Sequence, residues 1–443
     1  MNIFLREIRT FLIIWFGQLI STLGSTLTGF GLGVWIYERT GSTTLFALNM
    51  LAVFVPAVAL APFAGVLVDR YDRRLVMIIS DTGAALSTLV IALILSLGDL
   101  QVWHIYALTA LSSAFNTVQF PAFSAASTLI VPDKHRGRAG GMQQTGWAIS
   151  GLLGPGIAGL LYVTVGLKGI IWIDVLTFCF AVTTMLFVFL PRPERSKESE
   201  AEGGSFLQEA LFGWKYLYRR PGLFGLLWFF AFLNFCGSLT LPLITPMLLD
   251  QTTPDIVGLI GSIGGVGMMV GTIIMSAWGG FKRRALTIIP MEFIAGIGIL
   301  LAGVSPAIPL IAAGNFLFLF TLPISNGASQ AMWQTKVAPD VQGRVFSTRL
   351  MIANILIPIA YILAGPLSES VFIPAMTVGG RLDGTPIGAL LGVGPGRGIG
   401  LMLVLGGMLY SLAAVVALNY RPLRRLDLDL PDAAPATVTA ESL

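Results

Sequence analysis

Two apolar segments, residues 44–66 and 75–97, are joined by Gly65-Val66-Leu67-Val68-Asp69-Arg70-Tyr71-Asp72-Arg73-Arg74, which packs two acids and three arginines into one short connection. Charges that dense cannot lie in hydrocarbon, so the connection sits at a membrane face and its flanking segments cross the bilayer. Composition agrees. The 443 residues are 55% hydrophobic and 11% charged, against about 25% charged in a soluble domain. Mean hydropathy is +0.81. The pI near 9.1 invites a nucleic-acid reading, but the net charge is only +4 and its placement fits a membrane better. No nucleic-acid partner is expected. Cys179 and Cys236 both lie inside apolar segments and suggest neither a disulfide framework nor a zinc site. No metal and no cofactor is expected. The first apolar stretch is long enough to span and lacks a small-residue cleavage site, so it reads as a retained helix rather than a signal peptide.

Apolar runs of about 20 residues read as spanning helices. They fall at 11–36, 44–67, 75–97, 103–131, 142–165, 169–190, 222–249, 255–279, 285–303, 307–335, 345–368 and 398–419. The expected fold is an all-α membrane protein of twelve transmembrane helices. With both termini cytoplasmic, all but four of the 27 Lys and Arg residues fall on the inner side; the exceptions are Arg39, Lys168, Arg381 and Arg397. Cytoplasmic connections carry this excess, so one asymmetry supports both the helix count and the orientation in a cell inner membrane.

Four regions follow: a six-helix half at 1–190, a cytoplasmic linker at 191–221, a second half at 222–420, and a polar tail at 421–443 expected to be disordered. The linker is charged through Gly204; Phe206, Leu207, Leu211, Trp214, Leu217 and Tyr218 then recur near helical spacing, as in a helix lying on the inner membrane surface. The halves echo each other. Phe281-Lys282-Arg283-Arg284 stands where Tyr71-Asp72-Arg73-Arg74 stands, and Pro132-Asp133 with Gly137-Arg138 recurs as Pro339-Asp340 with Gly343-Arg344. A parallel repeat of two six-helix halves has this signature. Gly279 stands opposite Asp69 in the second copy. The alternating glycines from Gly392 to Gly400 lack the strand and βαβ unit of a dinucleotide fingerprint.

The pattern Gly65-x-x-x-Asp69-Arg70-x-x-Arg73-Arg74, placed between the second and third spans, resembles the signature loop of the major facilitator superfamily. The resemblance implies a conformational latch on the inner side, with Asp69 as the helix-end acid and Arg70, Arg73 and Arg74 as its basic partners. Asp72 stands where many members have Gly. In the fifth span, Ser150, Gly154, Pro155, Ala158 and Gly159 resemble the superfamily's antiport-type exporter motif, with Ser150 and Ala158 at positions where that motif has Gly. Small residues allow close helix approach, and Pro155 kinks its helix. Tyr37-Glu38-Arg39-Thr40-Gly41-Ser42, Val68-Asp69-Arg70-Tyr71-Asp72-Arg73, Ile173-Asp174-Val175 and Gln342-Gly343-Arg344-Val345-Phe346-Ser347 are similar to the branch of macrolide efflux and enterobactin exporter-type proteins. That likeness implies export of bulky amphipathic compounds driven by the proton gradient.

Polar side chains inside spans are costly in lipid and face protein or water. Gln18, Thr22, Asn116, Gln119, Asn234, Asn326 and Gln330 lie in spans 1, 4, 7 and 10, which line the central cavity in this superfamily. With Trp15, Phe115, Phe235 and Trp333 nearby they are the candidate substrate contacts. The proton-site candidates are Asp81 and Glu292; Asp81, two turns past Arg74, reads equally as part of the inner charge network. Glu38 and Asp174 fall near outer helix ends. No catalytic residue is expected. The chain contains no Gly-Lys dipeptide and so no Walker A loop, which disfavours a primary pump and leaves a partner ATPase as the one route to ATP-driven transport. The expected function is a secondary exporter, a functional monomer that exchanges a small amphipathic substrate for protons. An uptake symporter on the same fold and a non-transporting receptor or scaffold are the alternatives.

Overall fold

The computed structural model describes residues 8–188, 206–338 and 341–433, without the side chains of Pro62, Val66, Asp69 and residues 206–211. All regular structure among them is helical, the form in which a backbone in lipid satisfies its own hydrogen bonds. The first half of the chain gives α1 (Arg9–Thr40), α2 (Thr43–Arg70), α3 (Arg73–Leu97), α4 (Val102–Ile130) and α5 (Arg136–Leu186). Then come α6 (Phe206–Tyr218), α7 (Pro221–Thr240), the short α8 (Ile244–Leu249), α9 (Pro254–Trp278), α10 (Ala285–Val304) and α11 (Ile308–Lys336). The rest is α12 (Gln342–Asn354), α13 (Ile357–Leu367), the short α14 (Ile373–Met376) and α15 (Pro386–Leu391), α16 (Arg397–Asn419), α17 (Arg421–Arg424) and α18 (Leu426–Asp429).

Ten stretches among the described residues are long and apolar enough to cross a membrane. Helix α5 is 51 residues, which as a straight rod would reach about 77 Å, far beyond the roughly 30 Å of bilayer hydrocarbon. It turns at Gly166, whose φ of 69° and ψ of 178° no helix contains. The contacts with α1 prove the reversal. Along the first arm Trp15 meets Met142 and Thr26 meets Gly154, so both numbers rise together. Along the second arm Gly17, Gly24 and Gly31 meet Thr184, Thr177 and Leu167, so one falls as the other rises. The arms are antiparallel. Helix α4 spans 29 residues but is diluted by Ser112, Ser113, Asn116, Thr117 and Gln119. Counting both arms of α5 and adding α4 is consistent with twelve crossings.

The chain falls into two compact units. The first holds Met1–Arg195, Pro242–Gly265 and Ala364–Val371; the second holds Ser196–Leu241, Val266–Leu363 and Phe372–Leu443. In the first unit Phe11, Met77, Phe123 and Met185 form a core at one end of the bundle, and Leu32, Ile91, Ile105 and Ile171 form one at the other. Lipid is as apolar as these side chains, so close packing rather than escape from water holds them together. In the second unit α10 is sandwiched by glycine contacts. Gly298 meets Gly314 of α11, while Gly296 and Gly303 meet Gly407 and Gly400 of α16. Helix α6 seats Gly213 against Thr348 and the Arg344 carbonyl of α12. It buries Leu217 and leaves Trp214 and Tyr218 outward; Phe206, Leu207 and Leu211 have side chains outside the described set.

The disordered tail expected after Arg421 is corrected as far as Ala433. Leu423 and Leu426 are buried, and the segment folds back along the ends of α10 and α11. Lys336 donates to the carbonyls of Asp427 at 3.0 Å and Leu430 at 2.5 Å and pairs with Asp432 at 2.9 Å. The Asp427 carboxylate accepts from the Ala285 amide at 3.0 Å, capping the first turn of α10. Ala433 N–H donates to the Thr335 carbonyl. A charged segment that short looked mobile in sequence because its partner, a buried lysine, lies some ninety residues away. Residues 434–443 lie outside the described set.

Candidate functional site

Three helices of the first unit bring together a carboxyl and two amides. Asp81 on α3 is only 2% exposed. Gln18 on α1 donates through Nε2 to Asp81 Oδ2 at 2.8 Å. Gln119 on α4 donates in turn to Gln18 Oε1. Among the described residues no cation touches Asp81, so the reading of Asp81 as part of the inner charge network is corrected: Arg74 points elsewhere. Beside the amides lies a cavity of about 40 Å³, walled by Trp15, Thr22, Phe120, Phe123, Gln143 and Trp147. It has room for roughly one to three waters. The Gln143 side chain is 8% exposed and its Nε2 has no partner among the described residues. A buried amide in that condition costs free energy until something accepts from it. The Trp15 indole is held by the Met142 carbonyl at 2.7 Å, which fixes one wall.

The remaining candidates divide. Thr22 borders the same cavity, its hydroxyl donating to the Gln18 carbonyl at 2.8 Å. Asn116 is exposed and, among the described residues, reaches Ser112 at 3.4 Å on its own helix. In the second unit Asn234 donates to the Ala353 carbonyl at 3.0 Å. Gln330 accepts from Arg349 at 3.0 Å, and that guanidinium stands 5.0 Å above the Trp333 ring. Asn326 is exposed. Glu292 is buried, accepting from Ser325 at 2.5 Å and Tyr410 at 2.6 Å. It is enclosed by hydroxyls from α11 and α16, whereas Asp81 is one amide away from a cavity.

The 65–74 connection does local work. Asp72 caps α3, accepting from the amides of Arg74 at 2.9 Å and Leu75 at 3.4 Å. Arg73 donates to the Ala125 carbonyl near the end of α4 at 2.8 Å. Arg74 donates to the carbonyls of Met185 and Leu186 at the end of α5. Cations placed there complement the negative C-terminal ends of both helices. Arg70 is exposed. The Asp69 side chain lies outside the described set.

The small residues of α5 have two faces. On one, Gly154 lies against Thr26 of α1, and Ala158 packs with Leu27 and Ile170. Ser150 is buried beside them. On the other, Gly159 abuts the backbone of Pro254 and Asp255, and Gly258 abuts the carbonyl of Pro155. Gly265 meets Leu152, and the Gly156 amide donates to Ser262 Oγ at 2.9 Å. A side chain at Gly159 would place its Cβ 2.9 Å from the Asp255 Cα, which backbone cannot yield.

Other contacts escaped the sequence reading. Glu369 accepts from Ser42 Oγ at 2.7 Å, the Thr44 amide at 3.0 Å and Thr44 Oγ1 at 2.7 Å, so its carboxylate caps the start of α2. The Tyr37 hydroxyl donates to Asp250 at 2.6 Å, and the Tyr162 hydroxyl to Glu38 at 2.7 Å. Signals existed: the Gln143-Gln144 pair opens the fifth span, and Ser42-Thr43-Thr44 forms a hydroxyl run at a helix start.

The sequence profile of the Major Facilitator Superfamily matches residues 14–361. The chain belongs to the Major Facilitator Superfamily. This is a family of transporters rather than enzymes, and its members take small-molecule substrates through a membrane. Macrolide efflux protein A of Streptococcus pyogenes is 28% identical over 371 residues, covering 82% of this chain and 90% of that protein. The multidrug efflux pump Tap of Mycolicibacterium fortuitum is 25% identical over 381 residues, 81% of this chain and 89% of Tap. The solved structure of a bacterial homologue of the human lysosomal transporter Spinster superposes with a TM-score of 0.68 at 14% identity, over 95% of this chain and 97% of the other. That likeness concerns the fold. The fold expected from the 65–74 loop, and the branch expected from that loop together with the stretches at Tyr37–Ser42, Ile173–Val175 and Gln342–Ser347, are therefore borne out: this is a multi-pass membrane transporter of the superfamily, with efflux proteins among its relatives.

Proposed function

We propose that this transporter is a secondary exporter that expels amphipathic small molecules in exchange for protons by alternating access, and that Asp81 carries the proton. The observation that carries the reading is the chain Asp81–Gln18–Gln119 beside an aromatic cavity. An ionisable group inside a membrane span marks a functional site by default. An ionised Asp81 accepts only, so Gln18 turns its NH₂ to the carboxylate and its carbonyl to Gln119. A protonated Asp81 can donate, which suits the opposite face of the same amide. Rotation of Gln18 then frees Gln119 to donate into the cavity, next to the unpartnered Gln143. Proton binding and the polar lining of the cavity are thereby coupled through one side chain. Trp15, Phe120 and Trp147 supply rigid apolar surface on the wall of this small cavity, which has to widen during the transport cycle to admit a bulky substrate. The efflux function of Macrolide efflux protein A and Tap supports the outward direction.

The rest of the expected machinery joins the proposal. Asp69 with Arg70, Arg73 and Arg74 serves as the inner latch, and of the small-residue run in α5 the Pro155–Gly159 face seals against α9 while Gly154 and Ala158, beside the buried Ser150, face α1. Glu292 is a second buried acid, held by the hydroxyls of Ser325 and Tyr410. The transporter works as a monomer in the plasma membrane with both termini in the cytoplasm. The test uses everted membrane vesicles from cells expressing the chain. Energised vesicles should accumulate a labelled macrolide, and vesicles with equal amounts of Asp81→Asn should not. Accumulation only in right-side-out vesicles would make the protein an importer and overturn the reading.

A further inference from the structure

A second cavity lies in the second unit, lined by none of the residues around Asp81. Helices α7 and α16 run antiparallel: Gly222 meets Pro422 and Leu426, and Gly225 meets Tyr420 and Leu423. Between them opens a groove of about 370 Å³ lined by Gly225, Phe229, Phe232, Leu412, Val416 and Tyr420, with Ala413 and Ala417 at its floor. The groove exists because three of these positions carry a hydrogen or a methyl group. Phe232, Leu412, Val416 and Tyr420 are each 39–59% exposed, so the slot opens to the surroundings of the bundle. Its lining offers no charged group and almost no polar surface.

One end of the groove is basic. Arg219 and Arg220 immediately precede α7, and Arg421 and Arg424 belong to α17, at the same end of the helix pair. Arg219, Arg421 and Arg424 are exposed. The nearby acids are engaged: Asp429 with Arg425 at 3.4 Å, Asp427 with the Ala285 amide. Aromatic rings mark the depth. Trp214 and Tyr218 of α6 stack edge-on against Phe224, and Phe224 against Trp228. Amphipathic rings of this kind gather at the membrane–water boundary. The slot therefore begins at headgroup level among arginines and runs on into hydrocarbon.

We infer that this groove is a binding site for one anionic phospholipid, its phosphate held by Arg421 and Arg424 and one acyl chain laid between α7 and α16. Basic pockets between helices at a membrane face suit anionic headgroups, and a narrow slot without polar lining suits an unbranched chain. A cationic amphipath would meet like charge at the mouth. The site is independent of the transport reading.

The test is native mass spectrometry of the purified full chain in detergent, titrated with phosphatidylglycerol or with phosphatidylcholine of the same acyl chains. The wild type should retain one phosphatidylglycerol at concentrations where phosphatidylcholine is lost. The double variant Arg421→Gln/Arg424→Gln should lose about thirtyfold in affinity for the anionic lipid. Ala417→Trp, which fills the slot and leaves the arginines, should abolish retention while melting no lower than lipid-free wild type. Equal retention of the two lipids, or unchanged retention in the arginine variant, would reduce the groove to ordinary annular contact. Displacement of the lipid by a macrolide would make the groove a substrate entry. Either result overturns the assignment.

Discussion

Asp81, Gln18 and Gln119 were each visible in the sequence as polar side chains in apolar spans, yet nothing in the sequence joined them. Their union depends on α1, α3 and α4 meeting at one depth, a tertiary fact that hydropathy does not carry. The same limit sent Asn116 and Asn326 onto exposed surface although their composition matched that of Gln119. Asp81→Asn keeps the shape and the acceptor for Gln18 but cannot exchange a proton. Equilibrium binding of a labelled macrolide should stay within about threefold of wild type, while proton-driven transport falls at least about tenfold, a coupling of roughly 1.4 kcal/mol or more. Filter binding and vesicle transport on the same preparation separate the two. Loss of binding together with transport would make Asp81 a scaffold for the cavity instead.

Elements were largely legible. Span length is fixed by bilayer thickness, and Gly166, between the fifth and sixth apolar runs, turns where the sequence has a Val165-Gly166-Leu167-Lys168 break. The small-residue run at Ser150–Gly159 announced a close-packed face, but not that it had two, nor that Gly258, Gly261 and Gly265 of α9 answer it. Gly159→Leu should cost about 1–3 kcal/mol by overpacking and lower the detergent melting temperature. Pro155→Ala returns an amide proton to the helix and should melt like wild type while slowing turnover. If both variants melt and transport like wild type, α5 and α9 do not pack as described. The folded tail was not legible, because its contacts depend on Lys336. Lys336→Met would leave the carbonyls of Asp427 and Leu430 without their donor, at a cost of about 1–3 kcal/mol. Hydrogen exchange at residues 426–433 should rise in that variant; unchanged protection would show that the leucines alone hold the strap.

For the molecule as a whole, fold class followed from the regular alternation of apolar runs with basic connections, and family followed from one charged loop. Sidedness rests on the Lys and Arg asymmetry. Cysteines introduced at Ser199 and Gly384, with Cys179 and Cys236 removed, should react with an impermeant thiol reagent from opposite sides of the membrane; labelling of both from outside would break the orientation. Coupling is tested most directly with the purified chain in proteoliposomes whose lumen is acidic. Adding a labelled macrolide outside should drive its accumulation in the lumen and raise lumenal pH together, and both signals should vanish with a protonophore or with Asp81→Asn. Accumulation that survives the protonophore, or that occurs only when protons move in the same direction as the macrolide, would contradict proton-coupled export.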